Sequence, residues 1–548
     1  MMNKRKTLKK LTDLIDRHRS GKVNQCVIVD QIKQLWLTSS KTEDILVVVG
    51  FALLDMNESQ QVIDIIQDAA QVMGETELIY QLSGKAALQL NMPEMAEKAF
   101  SKACMINPSE QTNYLHLAIA QAEKGDVDQA IELLTSTLQH FPEYAKMWDL
   151  LGTYLLEYRG DTENGRVFLK QAHELDSENA DICHNLALSY HGLAEAKAYY
   201  QKAIKLTPEN PQVAVSFALY LLPKCKFIGP KLFINMMDYY ESRHAAQLGS
   251  VKFLTYEHSI PAIEDNPITD KTILILSEQG IGDELLFASF LPKLLKEAKK
   301  VFLLCDPRLE DAYARSFPEV EILSYVDDDR SGYKKRKIPS LDSVKAEIDN
   351  SIYLGSLMRY FVKKFDDFME FKGAYLKIDS KLQAEFRSRL GSKSRPRFAL
   401  SWKSQNIKGA RKGLYLDTEL LKKALSKIEA DFYVIQYVYS EEEKNNLNSL
   451  SNVHFMNDID FKNNIDANLA LLSLMDASIG PVTTSQMLAY AVGCPMVVVT
   501  NAKSWIMQYH KETDNYAIFG TPVDFLNMSL SENSYEALED ILKPHMIG

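Results

Sequence analysis

One spacing constrains this chain more than any other: Tyr80, Tyr114 and Trp148 follow one another at intervals of 34 residues. Gly84, Ala118 and Gly152 keep the same step, and so do Pro108 and Pro142. Within one unit Ala96, Phe100, Ala103 and Pro108 are spaced by four, three and five, and Ala196, Tyr200, Ala203 and Pro208 repeat that spacing further along. A fixed period of this length marks an array of short supersecondary units, none of which buries its apolar face alone. Small residues let two helices approach closely, aromatics fill the space beside them, and proline after the second helix ends it.

These positions resemble the tetratricopeptide repeat: a large residue and a small one four later on the first helix, alanine and an aromatic on the second. Three copies are well formed, at 77–110, 111–144 and about 180–210. The copy at 145–178 has Asn164 and Asp176 where alanine and proline are expected, and 44–75 reads as a degenerate opening repeat. The resemblance implies a stacked helical solenoid with a concave groove that binds peptides or proteins and does no chemistry itself. The expected division is an N-terminal helical region at 1–75, repeats at 76–215 and a helical connector at 216–267, where Pro261 and Pro267 break the pattern.

Beyond 268 the text changes. Short β-branched runs (T-I-L-I-L at 272–276, V-F-L-L-C at 301–305, R-F-A-L-S at 397–401, F-Y-V-I-Q at 432–436, M-V-V-V-T at 496–500) alternate with amphipathic helical stretches. Continuous apolar strands between helices predict buried parallel sheets covered on both faces. The polar stretch S-R-L-G-S-K-S-R-P-R at 388–397 divides the region. The expected fold class is therefore α followed by α/β: a helical solenoid, then two Rossmann-like halves at 268–385 and 386–548. Ligands in such sheets sit outside the carboxyl ends of the strands.

Composition excludes several classes. Among 548 residues, 62 Lys and Arg face 73 Asp and Glu, a net charge of −11 that argues against nucleic acid as partner. The six cysteines lie far apart, which rules out a disulfide scaffold or zinc ribbon. The longest apolar run, residues 45–54, is about half of a membrane span, and Asp13, Asp16 and Arg17 interrupt any leader-like apolar stretch after the basic start. No membrane span and a cytoplasmic location are expected.

The informative loop is L-I-L-S-E-Q-G-I-G-D-E-L-L-F-A-S-F-L-P at 274–292. Gly280 and Gly282 suit a tight turn and close backbone approach, and Asp283 opens the next helix. A dinucleotide fingerprint would need a third glycine near Leu285, and no P-loop lysine follows, so neither nucleotide motif fits. The segment resembles the E-Q-G-x-G-D signature of bacterial tetratricopeptide proteins that carry a heptosyltransferase-like (glycosyltransferase family nine type) domain. Y-L-G-S-L-M-R-Y-F at 353–361, A-L-S-W-K-S at 399–404, R-K-G-L-Y-L at 411–416, Gln436 at a strand end and N-L-A-L-L-S-L-M-D-A-S-I-G-P-V-T-T-S-Q-M-L-A-Y-A-V-G-C-P at 468–495 follow that family's order. The resemblance implies a GT-B fold that moves a sugar from a nucleotide-sugar donor held by the second half. It also departs from the pattern: Val482 and Met487 stand where the family has Asp and His.

Inverting transfer needs a base at the acceptor hydroxyl and dipoles or cations at the departing diphosphate. The resemblance makes Asp283 the candidate base, with Glu278 in reserve; the other reading of Asp283 is a helix cap. Thr483, Thr484 and Ser485, with Gly480 before them, precede a helix and either hold a diphosphate or cap that helix. Lys403, Lys408, Arg411 and Lys412 reach phosphate or are solvated, and Gln436 contacts the base or ribose or is a buried hydrogen-bonding residue. The run Lys334, Lys335, Arg336, Lys337 reads as an exposed loop, and D-I-D at 458–460 as loop carboxylates. No metal and no cofactor besides the nucleotide-sugar substrate are expected. Architecture points to a protein acceptor, for example Ser/Thr of a flagellar or surface protein; a lipopolysaccharide or other glycan acceptor, or a GT-B scaffold without turnover, are the competing readings.

Overall fold

The structure is a computed structural model that describes residues 4–19, 25–244, 255–256, 258–263, 267–328, 335–404, 415–500, 507–510, 515–527 and 532–546. The chain divides into two compact units, the first ending at Pro208 and the second beginning at Glu209.

The first unit is helical. Helices α1 (Lys4–Arg19) and α2 (Gln25–Thr38) precede the pairs α3 (Glu43–Asp55) and α4 (Ser59–Met73), α5 (Glu77–Gln89) and α6 (Pro93–Ile106), α7 (Gln111–Lys124) and α8 (Val127–Leu138), α9 (Ala145–Arg159) and α10 (Thr162–Leu175), and α11 (Ala180–Leu188) and α12 (Leu193–Leu206). Small residues do what their spacing implies. A Cβ on Gly84 would lie 2.5 Å from the Phe100 ring, so glycine there lets α5 and α6 close on that aromatic. Ala96, Phe100 and Ala103 are fully buried behind it. The period extends to hydrogen bonds: Tyr114 OH donates to Pro108 O at 3.3 Å, and Trp148 Nε1 to Pro142 O at 2.7 Å.

The looser copy at 145–178 folds as a pair too, by a substitution of means. Its contact point is Gly165, one residue after Asn164, and a Cβ on Gly152 would come within 2.8 Å of Gly165 O. Gly152 and Gly165 thus meet backbone against backbone, where the repeat pattern expects alanine at 164.

The second unit begins with α13 (Pro211–Leu221) and α14 (Pro230–Glu241), both with proline in the first helical turn. Its strands are β1 (Thr255–Tyr256), β2 (Thr272–Leu276), β3 (Lys300–Cys305), β4 (Glu321–Ser324), β5 (Val326–Asp328), β6 (Lys335–Lys337), β7 (Asn350–Tyr353), β8 (Arg397–Leu400), β9 (Asp431–Val434), β10 (Val453–Phe455), β11 (Ala477–Gly480), β12 (Met496–Thr500), β13 (Met507–His510), β14 (Asn515–Ile518) and β15 (Thr521–Asn527). A four-stranded parallel sheet has the order β4-β3-β2-β7, and an eight-stranded one β10-β9-β8-β11-β12-β15-β14-β13, parallel except for the β13–β14–β15 ribbon. A small sheet, β1-β6-β5, stands beside them. Every residue of β2 and β8 is buried, as a parallel sheet covered on both faces requires.

In each large sheet the strand order reverses beside the first strand, between β2 and β7 and between β8 and β11. These two switch points are where an open α/β sheet leaves a crevice. The connections after β2 and after β11 each lead into a helix, α15 (Ile281–Phe287) and α16 (Thr484–Val492), and the two helices pack on each other. Among the described residues no helix is long and apolar enough to cross a membrane, and Cys104, Cys183, Cys225, Cys305 and Cys494 are free and buried.

Candidate functional site

The first switch point is closed by charge. Glu278, buried after β2, accepts from Arg243 Nη2 at 2.9 Å and from the Gly355 N–H at 2.7 Å, both on Oε1. Arg243 also donates to Glu241 Oε1 at 2.9 Å and Ser356 Oγ at 3.1 Å, while Ser356 Oγ donates to Glu241 Oε2 at 2.6 Å. Burial opposes the Arg243 charge, but Glu278 and Glu241 outweigh it and raise its pKa. The reserve base of the sequence reading is therefore occupied: Glu278 ties the loop after β2 to the loop after β7. A cavity of about 590 Å³ lies beside this network, with Glu241, Ser356, His258 and Tyr353 among its walls.

Arg336 requires a correction. The basic run 334–337 reads as an exposed loop, yet Arg336 is buried in β6 and Lys334 lies outside the described residues. Its Nη1 donates to Glu278 O at 2.9 Å, Ser277 Oγ at 3.1 Å and Tyr256 OH at 2.8 Å, and its guanidinium stands 3.7 Å from the Tyr325 ring centre. Strand pairing with β1 and β5 pulls one residue of a polar run inward, which a run of like charges in sequence does not reveal.

Gly280 is the N-cap of α15 with φ −131°, an extended conformation open to any residue, so tight-turn freedom is not its reason. Gly282 is not required for a close approach either: a Cβ there would make only ordinary van der Waals contacts, 3.6 Å from Thr484 Oγ1 and 3.8 Å from Met487 Cγ. Asp283, in the first turn of α15, is exposed, and its Oδ2 is 3.9 Å from where a Cβ on Gly280 would be. The next residue escaped the sequence reading. Glu284 is buried and accepts from the Asp306 N–H at 3.2 Å; burial first, then the Asp306 charge, push its pKa up to about 8. The signal was present: Glu284, Phe287, Ala288 and Leu291 share one apolar helical face, and all four are buried.

The second switch point is built differently. Thr483 is the N-cap of α16, but its hydroxyl makes no capping hydrogen bond. Among the described residues Thr483 Oγ1, Ser401 Oγ and both amide atoms of Gln486 are buried without a partner. A Cβ on Gly480 would collide with Ser401, so the ends of β8 and β11 meet backbone to backbone here. Ser485 is buried in the first turn of α16 and Thr484 is half-buried. The helix N-terminus adds free N–H groups and positive potential to this uncommitted polar set, which suits an anion.

Two other candidates are committed elsewhere. Gln436 Oε1 accepts from the N–H groups of Trp402 (2.9 Å) and Lys403 (3.1 Å), and its Nε2 donates to Val438 O at 3.0 Å, so it holds the loop after β8. It also lines a small hollow of about 90 Å³ between the ends of β9 and β10. Lys403 Nζ is paired with Glu443 Oε2 at 2.6 Å. Lys408, Arg411 and Lys412 lie outside the described residues. Of the D-I-D carboxylates, Asp458 pairs with Arg389 and Asp460 accepts from two backbone N–H groups. Among the described residues no three His, Cys, Asp or Glu side chains converge as a metal site.

Comparison with known proteins adds the following. The family model for the tetratricopeptide repeat matches residues 78–110 and 180–210. The chain is 27% identical over 435 residues to Protein FlbA of Caulobacter vibrioides, covering 77% of this chain and 71% of that one. It is 21% identical over 173 residues to a TPR repeat-containing protein of Dictyostelium discoideum, covering 30% of this chain and 66% of the other. Solved structures similar to it include a thermophilic TPR protein of Thermus thermophilus (22% identity, 33% of this chain and 100% of that one, TM-score 0.30). Another is YrrB, described as a TPR protein with an unusual peptide-binding site (15% identity, 32% and 93%, TM-score 0.25). The N-terminal unit thus carries tetratricopeptide repeats, a protein-interaction scaffold, and a mixed α/β region with parallel sheets follows it.

Proposed function

We propose that this chain is a GT-B glycosyltransferase that moves a sugar from a nucleotide-sugar donor to a hydroxyl of a protein recruited by its repeats. One observation carries the reading: the unpaired, buried polar set of Ser401, Thr483 and Gln486 at the N-terminus of α16, beside the Gly282 turn that bears Asp283. Unsatisfied buried polar atoms cost about 1–3 kcal/mol each, so a group of them at a sheet switch point fits a ligand that completes them. In this mechanism Asp283 takes the proton of the acceptor hydroxyl as its oxygen attacks the anomeric carbon. The bond from that carbon to the diphosphate oxygen breaks, and the nucleoside diphosphate leaves with the electron pair toward the N–H groups of α16. Supply of charge stabilisation by a helix N-terminus makes a metal unnecessary to the scheme.

A second reading, a GT-B scaffold without turnover, is favoured by Val482 and Met487 in place of the family's Asp and His and by the commitment of Glu278 and Lys403 to ion pairs. Calorimetric titration of the full chain with a panel of nucleotide sugars separates the two. Binding of at least one donor, weakened about tenfold or more by Thr483→Val, is expected; failure of every donor to bind leaves the scaffold.

A further inference from the structure

The cavity of about 590 Å³ beside the Glu278 network has no part in the transfer scheme. Its volume is that of a small-molecule site. One side of α14, the segment 258–263, β7 and the short helix Leu357–Phe361 with the residues just after it form its walls. Two of these walls are held together by backbone hydrogen bonds: the Ser351 N–H donates to Pro261 O at 2.8 Å, and the Ile263 N–H to Ser351 O at 2.9 Å. Met237, Ile260, Leu276, Ile352 and Val362 line the cavity and are buried, so a molecule inside it meets an apolar interior.

The polar groups of the walls are unevenly committed. Both carboxylates are matched by arginine: Asp238 pairs with Arg359 at 2.9 Å and Glu241 with Arg243 at 2.9 Å, and Glu241 also accepts from Ser356 Oγ. Three hydrogen-bond donors are left over. His258 Nδ1 accepts from the Ile260 N–H at 3.2 Å, and burial lowers the pKa of the ring. The neutral imidazole therefore carries its proton on Nε2, which has no partner among the described residues. Tyr360 OH accepts from the Ile268 N–H at 3.0 Å, while its own proton has no acceptor among the described residues. Lys363 Nζ donates to Arg359 O at 2.9 Å, and among the described residues no carboxylate pairs with it.

We propose that this cavity is a binding site for an amphipathic monocarboxylate, whose apolar chain covers the buried interior and whose carboxylate meets the spare donors of the walls. Donors in surplus call for a ligand that brings acceptors, since each side-chain proton left unmet on desolvation costs free energy. Lys363 is the one unmatched charge, which suits a head carrying a single negative charge. A phosphate monoester, at about −1.5 to −2, overshoots it. Charge-assisted hydrogen bonds to the head supply the orientation, and the apolar walls supply contact area. The site stands apart from sugar transfer.

The test is calorimetric titration of the full chain with three molecules of equal chain length, octanoate, octanol and octylammonium. Octanoate should bind once per chain and about tenfold more tightly than octanol, with octylammonium weakest. Lys363→Gln should bring octanoate down to the level of octanol, and His258→Leu should weaken octanoate several-fold while leaving octanol within about twofold. Lys363 is exposed, so the Lys363→Gln chain should melt with the parent, and its lost preference is then not a loss of fold. Octanoate carrying a terminal diazirine should label peptides that contain residues 234–241 or 351–363. Failure of octanoate to bind, equal binding of octanol, a preference that survives both substitutions, or label confined to other peptides overturns the proposal. None of these measurements uses a nucleotide sugar, so the transferase reading stands or falls separately.

Discussion

The two switch points of the second unit are filled in opposite ways. Between β2 and β7 the loops are sewn together by Glu278, Arg243, Glu241 and Ser356, each satisfied by the others. At the equivalent switch point between β8 and β11 the hydroxyls of Ser401 and Thr483 and the side-chain amide of Gln486 have no partner among the described residues. The same topology thus ends in two different hydrogen-bond conditions. A closed charge network fixes loop geometry, whereas an unsatisfied polar set persists at a stability cost.

The contrast makes four single substitutions unequal. Arg243→Met strips the counter-charge from two carboxylates, one of them buried, and should cost about 3–5 kcal/mol, read as a large fall in the denaturant midpoint of the second unit. The double change Arg243→Met with Glu278→Gln should recover a good part of it; a single substitution that leaves the midpoint in place would show that the network does not hold the loops.

Glu284→Gln should act in the other direction and with pH. The Glu284 carboxyl keeps its proton up to about pH 8 in the folded state, against the ordinary glutamate value of 4.5 once unfolded. The folded state therefore binds more protons across that window, and its stability falls as pH rises through it. Glutamine carries no such burden and still accepts the Asp306 N–H, so the variant should gain stability on the order of 4 kcal/mol at pH 8 and little at pH 4.5, measured by thermal melts across the range.

The smallest effects belong to the two serines. Ser401→Ala removes a buried hydroxyl that has no partner among the described residues, so stability should rise by about 1 kcal/mol, in contrast to about 1 kcal/mol lost by Ser356→Ala, whose hydroxyl has two partners. If Ser401→Ala destabilised the chain as much as Ser356→Ala, the distinction between the two crevices would be gone.

Where periodicity carries information, the residues were readable in advance. Gly84, Ala96, Phe100, Ala103 and the 34-residue step place the paired helices, and T-I-L-I-L announces a strand buried on both faces. Even the copy with Asn164 forms its pair, through a glycine one residue away that the repeat pattern does not assign. The candidate site was readable only in part. The order of short motifs points to Thr483, Thr484 and Gly480, but which of their atoms remain unpaired is not written in that order.

Local pattern determines local form, because helix pairing and strand burial follow from side-chain size and spacing within a few dozen residues. Hydrogen-bond occupancy is a property of distant neighbours. Glu278 is engaged because residue 243, on another element, reaches it; Arg336 is buried because β6 pairs with β1 and β5; the Thr483 hydroxyl is unengaged because no side chain among the described residues arrives. A carboxylate or a hydroxyl looks the same in sequence in either condition, and only the packed chain brings, or withholds, the partner that settles its chemistry.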